Sequence, residues 1–458
     1  MNRTAARIAM AGTLGLLAVV AGGAQSPLPP PTLGPGVKTS FVRLGSGVPG
    51  VLYQPAASPK SGIAVYVMHA SGDYLEHSSC IELSKRGYQV LCANNTTSKS
   101  GSENDQSLER NLLDASLGVA WLRKQPNVRK VVLFGHSGGG VLMSSYQGIA
   151  EGGLKSCQGP EKLYGCPDTL ADLPPADGLM LIDSNYGTSL MTLFSLDPAV
   201  TDESGGQKRD PKLDLWNPAN GFDTRGAKYS PEFTRNFQSA VGKREQQLVK
   251  AAQERLKLIE SGQGRYEDDE PFVVPGANSN GPNNKFFAQD TRFLSHTRKP
   301  WPLLHKDGRI TTEIVHTVRV PQNMKPNSSN YAQGALKGTV RRFLSTYAIR
   351  VNDDFSFDET TIHGVDWASS NTAPFSTIRT VKVPLLTMGM TANWEYLAAE
   401  TIYENAPGTD KTIAFVEGAQ HVFTTCKACE KTPGEFGDTV KTLYDYIDGW
   451  LQKPGRFL

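Results

Sequence analysis

The chain has almost no net charge. Its 47 lysines and arginines nearly balance 45 aspartates and glutamates, leaving a formal +2. No basic stripe with interleaved aromatics runs through it, which argues against nucleic-acid binding. It lacks a Gly-x-x-x-x-Gly-Lys loop to cradle phosphate and a dinucleotide fingerprint at a first strand. No internal repeat is present. Beyond the N-terminal segment no apolar run approaches the roughly 20 residues of a bilayer span. Cysteine is scarce, with six in 458 residues. Only one Cys-x-x-Cys pair occurs, Cys426 and Cys429, and no histidines stand at zinc-site spacing.

What is present begins with a leader. Arg3 and Arg7 precede a mostly apolar run from Ile8 to Val20, and Gly22-Gly23-Ala24 offers small residues for cleavage. This layout predicts a secretory signal peptide over 1–24. No cysteine directly follows the cleavage region, so a lipid-modified N-terminus is not expected. An even cysteine count in an exported chain favours disulfides. Sequence neighbours suggest Cys80 with Cys92, Cys157 with Cys166, and Cys426 with Cys429, although sequence does not fix pairing. A redox or zinc role for Cys426 and Cys429 is the alternative reading. The exported product is periplasmic or secreted.

Composition allows a large core: 39% of residues are hydrophobic. A proline-rich lead-in, Pro27 to Thr32, precedes candidate strands at Thr39–Leu44 and Gly50–Gln54. Ile63–Met68 and Tyr88–Ala93 are nearly continuous apolar runs, as buried parallel strands require. Leu108, Leu112, Ala115, Val119 and Leu122 recur at helical spacing, and Pro126 ends that helix. Leu179–Ile182 is a strand ending in Asp183.

The rhythm of strands and helices breaks from about Gly187 to Ile378. Ser230-Pro231 reads as a helix start, continued by Phe233, Phe237, Ala240, Leu248 and Ala251. Pro271–Asn284 reads as a long loop. Leu336, Val340, Phe343 and Tyr347 predict one face of a helix over Tyr331–Tyr347. The rhythm returns with a strand at Val383–Met388, a helix at Leu397–Asn405, a strand at Thr412–Val416 and a closing amphipathic helix around Val440–Leu451. Alternation of this kind implies a mostly parallel sheet with helices on both faces. The domain reading is a core in two parts, 25–186 and 379–458, flanking an insertion over 187–378.

The densest chemical signal is Gly135-His136-Ser137-Gly138-Gly139, between the apolar run Val131–Phe134 and a helix that begins near Gly140. A strand, a sharp turn bearing serine and a helix form a nucleophile elbow, and the turn leaves no room for Cβ atoms at its flanking glycines. The pattern points to covalent hydrolysis through Ser137.

Three separated motifs then resemble the α/β-hydrolase superfamily in its chain order. They are His69-Ala70-Ser71-Gly72 after a buried strand, the elbow, and His421 after the last apolar strand. The resemblance covers roughly 39–186 and 381–452. It implies a parallel-sheet fold with a cap formed by the large insertion. It also implies His421 as general base and backbone amides of Gly138 and of the loop near Ala70 and Ser71 as oxyanion donors. Ala70 stands where the family has glycine. The triad acid stays open between Asp183 and Glu395, because Asn393 falls where an aspartate is usual. His136 is expected to point away from the serine, while His296, His305, His316 and His363 are expected to be ordinary polar residues.

The aromatics Phe194, Trp216, Phe222, Phe286, Phe287, Phe293, Trp301 and Trp367 are expected mainly as the insertion's own core, a few of them lining an apolar pocket. The expected function is hydrolysis of a small-molecule carboxylic ester without cofactor or metal. An amidase or peptidase with the same triad, and a non-catalytic binding protein on this fold, are the alternatives.

Overall fold

The computed structural model describes residues 36–57, 59, 62–97, 99, 106–205, 208–277, 286–321 and 335–457. The expected leader and the proline-rich lead-in lie outside these residues. Among the described residues the strands are β1 (Val37–Gly45), β2 (Val48–Pro55), β3 (Ile63–His69), β4 (Gln89–Asn94), β5 (Lys130–Ser137), β6 (Gly178–Ser184) and β7 (Pro271–Pro275). They continue with β8 (His296–Leu304), β9 (Ile310–His316), β10 (Ala335–Thr339), β11 (Arg350–Phe357), β12 (Ile362–Asp366), β13 (Leu385–Met390) and β14 (Lys411–Val416).

Ten of these strands form one sheet in the order β1-β2-β4-β3-β5-β6-β13-β14-β8-β9. Every neighbouring pair from β4 to β8 is parallel. The antiparallel pairs sit at the two edges. The central strands β3, β4, β6 and β13 are buried on both faces, which explains their unbroken apolar runs. Along β3, Ala64, Tyr66 and Met68 point into one core, shared with the helices Leu108–Arg123 and Gly138–Gly152. Ile63, Val65 and Val67 point into the other, shared with the helices Ser78–Lys85 and Thr439–Leu451. The fold is therefore α/β with a mostly parallel sheet covered on both faces, as expected from the alternation of elements.

Three disulfides are formed: Cys80–Cys92, Cys157–Cys166 and Cys426–Cys429. These are the neighbour pairs suggested by the sequence. The first ties the helix Ser78–Lys85 to β4.

The region between Gly187 and Ile378 departs from expectation in three places. First, β8 and β9 extend the main sheet beyond β14. Pro300 and Pro302 hid β8 in the sequence, yet proline is tolerated near a sheet edge where few ladder bonds are needed, and only Leu303 and Leu304 pair with β14. Second, the expected loop from Pro271 opens as β7, paired with β10. Residues 278–285 lie outside the described set.

Third, Ala335–Thr339 is a strand rather than part of a helix. Thr339 stays extended and its hydroxyl accepts from Arg342 N at 3.3 Å, capping a short turn that leads into a π-helix over Phe343–Tyr347. Leu336, Val340, Phe343 and Tyr347 are all buried. Their spacing recorded a buried side that two different elements share. By contrast, Ser230 does cap a helix, accepting from Phe233 N at 3.1 Å, and that helix runs on to Glu260.

Candidate active site

The elbow forms where β5 ends. Ser137 holds φ 55° and ψ −127°, backbone angles that L-residues avoid, and the helix Gly138–Gly152 starts immediately after it. A Cβ on Gly135 would lie 2.5 Å from the Gly139 carbonyl oxygen, and one on Gly139 would lie 2.7 Å from that of Met68. The helix start therefore abuts both its own strand and β3, and only glycine permits that approach.

Across from the elbow, β6 carries a bulge. His136 pairs with Ile182 and Ser137 pairs with Ser184, so Asp183 is the unmatched residue. Its φ is 47°. A bulge re-aims a side chain, and the Asp183 carboxylate is buried. Met390 N donates to its Oδ1 at 2.9 Å, and His421 Nδ1 lies 2.7 Å from its Oδ2.

Glu395 is also drawn in. It is buried, and its Oε2 lies 3.2 Å from His421 Nδ1. Asn393, the residue at the usual acid position, bridges the two carboxylates. Its Nδ2 donates to Asp183 Oδ2 at 2.7 Å and approaches Glu395 Oε2 at 3.4 Å. Both candidate acids thus meet the same imidazole edge, with Asp183 the nearer. Burial of the His421 ring opposes its charge. The Glu395 and Asp183 carboxylates outweigh that penalty and push its pKa up to about 9. Ligand-type atoms of Asp183, Glu395 and His421 lie within 4.8 Å of one another. His421 Nδ1 also lies 2.9 Å from Asn393 Nδ2, so the amide and both carboxylates converge on one ring nitrogen.

His421 is brought beside the elbow by its neighbour in β5. The His136 ring packs 4.6 Å from the His421 ring, and its Nε2 donates to the His421 carbonyl at 2.7 Å. Its Nδ1 therefore accepts from the Tyr74 hydroxyl at 2.6 Å. The ring expected to point away from Ser137 also holds the backbone of His421. Among the described residues no hydrogen bond joins Ser137 Oγ to His421. Such contacts commonly tighten only once substrate is bound.

A run of rings crosses this end of the sheet. His69 stacks on Tyr74 at 4.6 Å, Tyr74 on His77 at 4.3 Å, and His77 on His136 at 5.2 Å. Burial, reinforced by the charge on His421, holds His77 down to about 4 and His69 down to about 3. His136 is held well below the ordinary value for the same reasons. One cationic imidazole therefore stands among three neutral ones. Sequence reasoning placed the His69 loop at this end of the sheet but had not gathered His77 and Tyr74 here.

The loop expected to supply the second oxyanion donor turns its Ser71 amide back onto itself. Asn95 Nδ2 at 2.8 Å, Asn111 Nδ2 at 3.2 Å and Thr97 Oγ1 at 3.3 Å all donate to the Ala70 carbonyl. The N–H of the same peptide belongs to Ser71 and points the opposite way, onto His69 Nδ1 at 3.1 Å. The Ser71 amide is thereby committed within its own loop. The Gly138 amide sits at the start of the helix, where backbone donors have no helical partner.

The four remaining histidines lie apart. His305 pairs with Glu417 and His363 with Asp358, while His296 and His316 face each other across β8 and β9. Phe194, Trp216, Phe222, Phe286 and Phe287 are buried, and Phe293, Trp301 and Trp367 partly so. Trp367, Tyr186 and Phe375 line a cavity of about 150 Å³ together with the polar Arg298, Thr360, Thr361 and Thr401, and Ser137, Asp183 and His421 are not in its lining.

No known family profile and no curated protein matches this chain. Solved structures with a similar run of fold include a siderophore hydrolase, EstB, from Aspergillus fumigatus. It is 11% identical, with 91% of this chain and 98% of that one covered and a TM-score of 0.39. Esterase B from Lactobacillus rhamnosis is 11% identical, over 91% and 88%, with a TM-score of 0.37. Est1E from Butyrivibrio proteoclasticus is 10% identical, over 90% and 97%, with a TM-score of 0.36. The strand order and the elbow described above define an α/β fold with a mostly parallel sheet independently of these likenesses.

Proposed function

We propose that this protein is an exported serine hydrolase that cleaves carboxylic esters through an acyl-enzyme. The observation that supports this best is the strained Ser137 elbow beside an imidazole whose far edge is held by a buried carboxylate. Ser137 Oγ attacks the ester carbonyl. His421 in its neutral form takes the hydroxyl proton through Nε2 and returns it to the leaving alcohol. Asp183 orients the ring and stabilises the imidazolium that forms. The Gly138 amide donates to the oxyanion. Water then repeats the sequence to release the acid.

The reading includes a substrate with a bulky apolar or aromatic part, suggested by the many aromatics between Gly187 and Ile378. The leader at 1–24 and the three disulfides favour an exported protein. The test is turnover of an ester panel with varied acyl and alcohol parts by wild type and Ser137→Ala. The reading expects selective hydrolysis that Ser137→Ala abolishes. Equal turnover by both proteins sinks it.

A further inference from the structure

We infer that the His69 side chain, through its Nε2–H, is the second donor to the oxyanion that forms on Ser137. The inference rests on the serine-hydrolase reading and deepens it by naming a catalytic group.

The ring's tautomer follows from its contacts. Ser71 N and Gly72 N both donate to His69 Nδ1, at 3.1 Å and 2.6 Å. An atom that accepts two N–H bonds carries a lone pair, so the single proton of the neutral ring is on Nε2. One ring face is covered by Tyr74. The remaining edge faces the elbow: a Cβ on Gly138 would lie 3.0 Å from Nε2 and 3.1 Å from Cε1. Glycine at 138 leaves that space open. Among the described residues no protein group accepts from Nε2.

An N–H with no acceptor among the described residues, beside the residue whose amide is the proposed first donor, has the placement such a donor needs. The same loop has turned its Ser71 amide away, and the imidazole that captured that amide presents its own N–H instead. The ring is a poor base, since its pKa is held down to about 3. It neither takes nor gives a proton during the cycle. As the Oγ–C bond forms, the carbonyl electron pair moves onto oxygen, and the His69 Nε2–H shortens its bond to that oxygen. A neutral imidazole is suited to this electrophilic role.

Two substitutions separate the donor from the loop tie. In His69→Asn the amide oxygen replaces Nδ1 but nothing reaches the Nε2 position. In His69→Gln the amide nitrogen reaches that position but the acceptor is lost. On an ester that wild type turns over, His69→Asn is expected to lower kcat by about 10²–10³-fold with KM within a few-fold. His69→Gln is expected to stay within about tenfold of wild type. Circular dichroism establishes that each variant is folded. The assignment is overturned if the two variants fall together or if His69→Asn keeps its kcat.

Wild type offers a second readout that needs no variant. Histidine-labelled NMR should show His69 protonated on Nε2, with that proton moving downfield when Ser137 carries a phosphonyl group. An Nδ1–H tautomer overturns the assignment. If wild type hydrolyses no ester and Ser137 takes up no fluorophosphonate, the hydrolase reading fails and takes this one with it. If wild type is active and Ser137→Ala is dead, indistinguishable His69 variants overturn the His69 role alone.

Discussion

Ser137 and Asp183 occupy opposite sides of one irregular step between β5 and β6, and each holds a positive φ, 55° and 47°. The step leaves Asp183 unmatched in the ladder. Its carboxylate is thereby free to reach His421 at 2.7 Å. The proposed nucleophile and acid are thus positioned by one backbone distortion rather than by two independent turns.

That distortion has a cost at Ser137. Its conformation is one that glycine adopts without strain, and such positions typically carry ~1–3 kcal/mol. Ser137→Gly should therefore unfold at higher denaturant than Ser137→Ala, by about 1 kcal/mol, with both inactive. Equal stability of the two variants would mean that the elbow is not strained.

The pH profile follows from the charge on His421. A general base must be neutral, and two carboxylates hold this ring cationic up to about 9. At pH 7 the neutral form is roughly a hundredth of the whole. Activity should rise with pH and level off only above about 9. The folded pKa exceeds the ordinary 6.5, so the ring's contribution to stability is whole below that value and lost as pH climbs through about 9. Activity and this part of stability run in opposite directions. The groups facing the ring are Asp183, Glu395, His136, His69 and His77, of which only the carboxylates raise its pKa. A flat kcat/KM between pH 6 and 9 would contradict this account, given the pKa near 9.

Glu395 and Asp183 should separate cleanly in mutants. Asp183→Asn removes the nearer acceptor for Nδ1–H and should lower kcat by about 10³–10⁴-fold. Glu395→Gln removes one of two charges, so the alkaline limb should move toward neutrality and activity at pH 7 should increase. The reverse pattern, a dead Glu395→Gln and a competent Asp183→Asn, would make Glu395 the acid.

Tyr74 and His136 act on His421 through its backbone. Tyr74→Phe leaves the buried His136 Nδ1 without its hydroxyl partner and should cost about 1–3 kcal/mol of stability. His136→Phe removes the bond to the His421 carbonyl. It should lower kcat by about tenfold or more while Ser137 remains reactive to phosphonates. Unchanged kcat in His136→Phe would show that the loop holds His421 unaided.

Much of this was legible in the sequence for a local reason. The glycines at 135 and 139 report contacts a few residues away or onto the adjacent strand, so the motif implies its own geometry. The paired acids were legible as carboxylates at strand ends. Their sharing of one imidazole was not, because it depends on Asn393 and on a bulge that no local pattern announces. β8 was hidden by Pro300 and Pro302, which are acceptable only because of its place beyond β14. The turning of Ser71 onto His69 was invisible for the same kind of reason: Asn95, Thr97 and Asn111, distant in sequence, fix the peptide that decides it.

The central claim is that Ser137 is the residue that becomes covalently acylated. Incubation with a fluorophosphonate at alkaline pH, followed by peptide mass mapping, tests it directly. The account predicts a single adduct on the peptide carrying Ser137, lost in Ser137→Ala and slowed by orders of magnitude in His421→Ala. An unmodified Ser137, or an adduct on another residue that accompanies loss of activity, would contradict it.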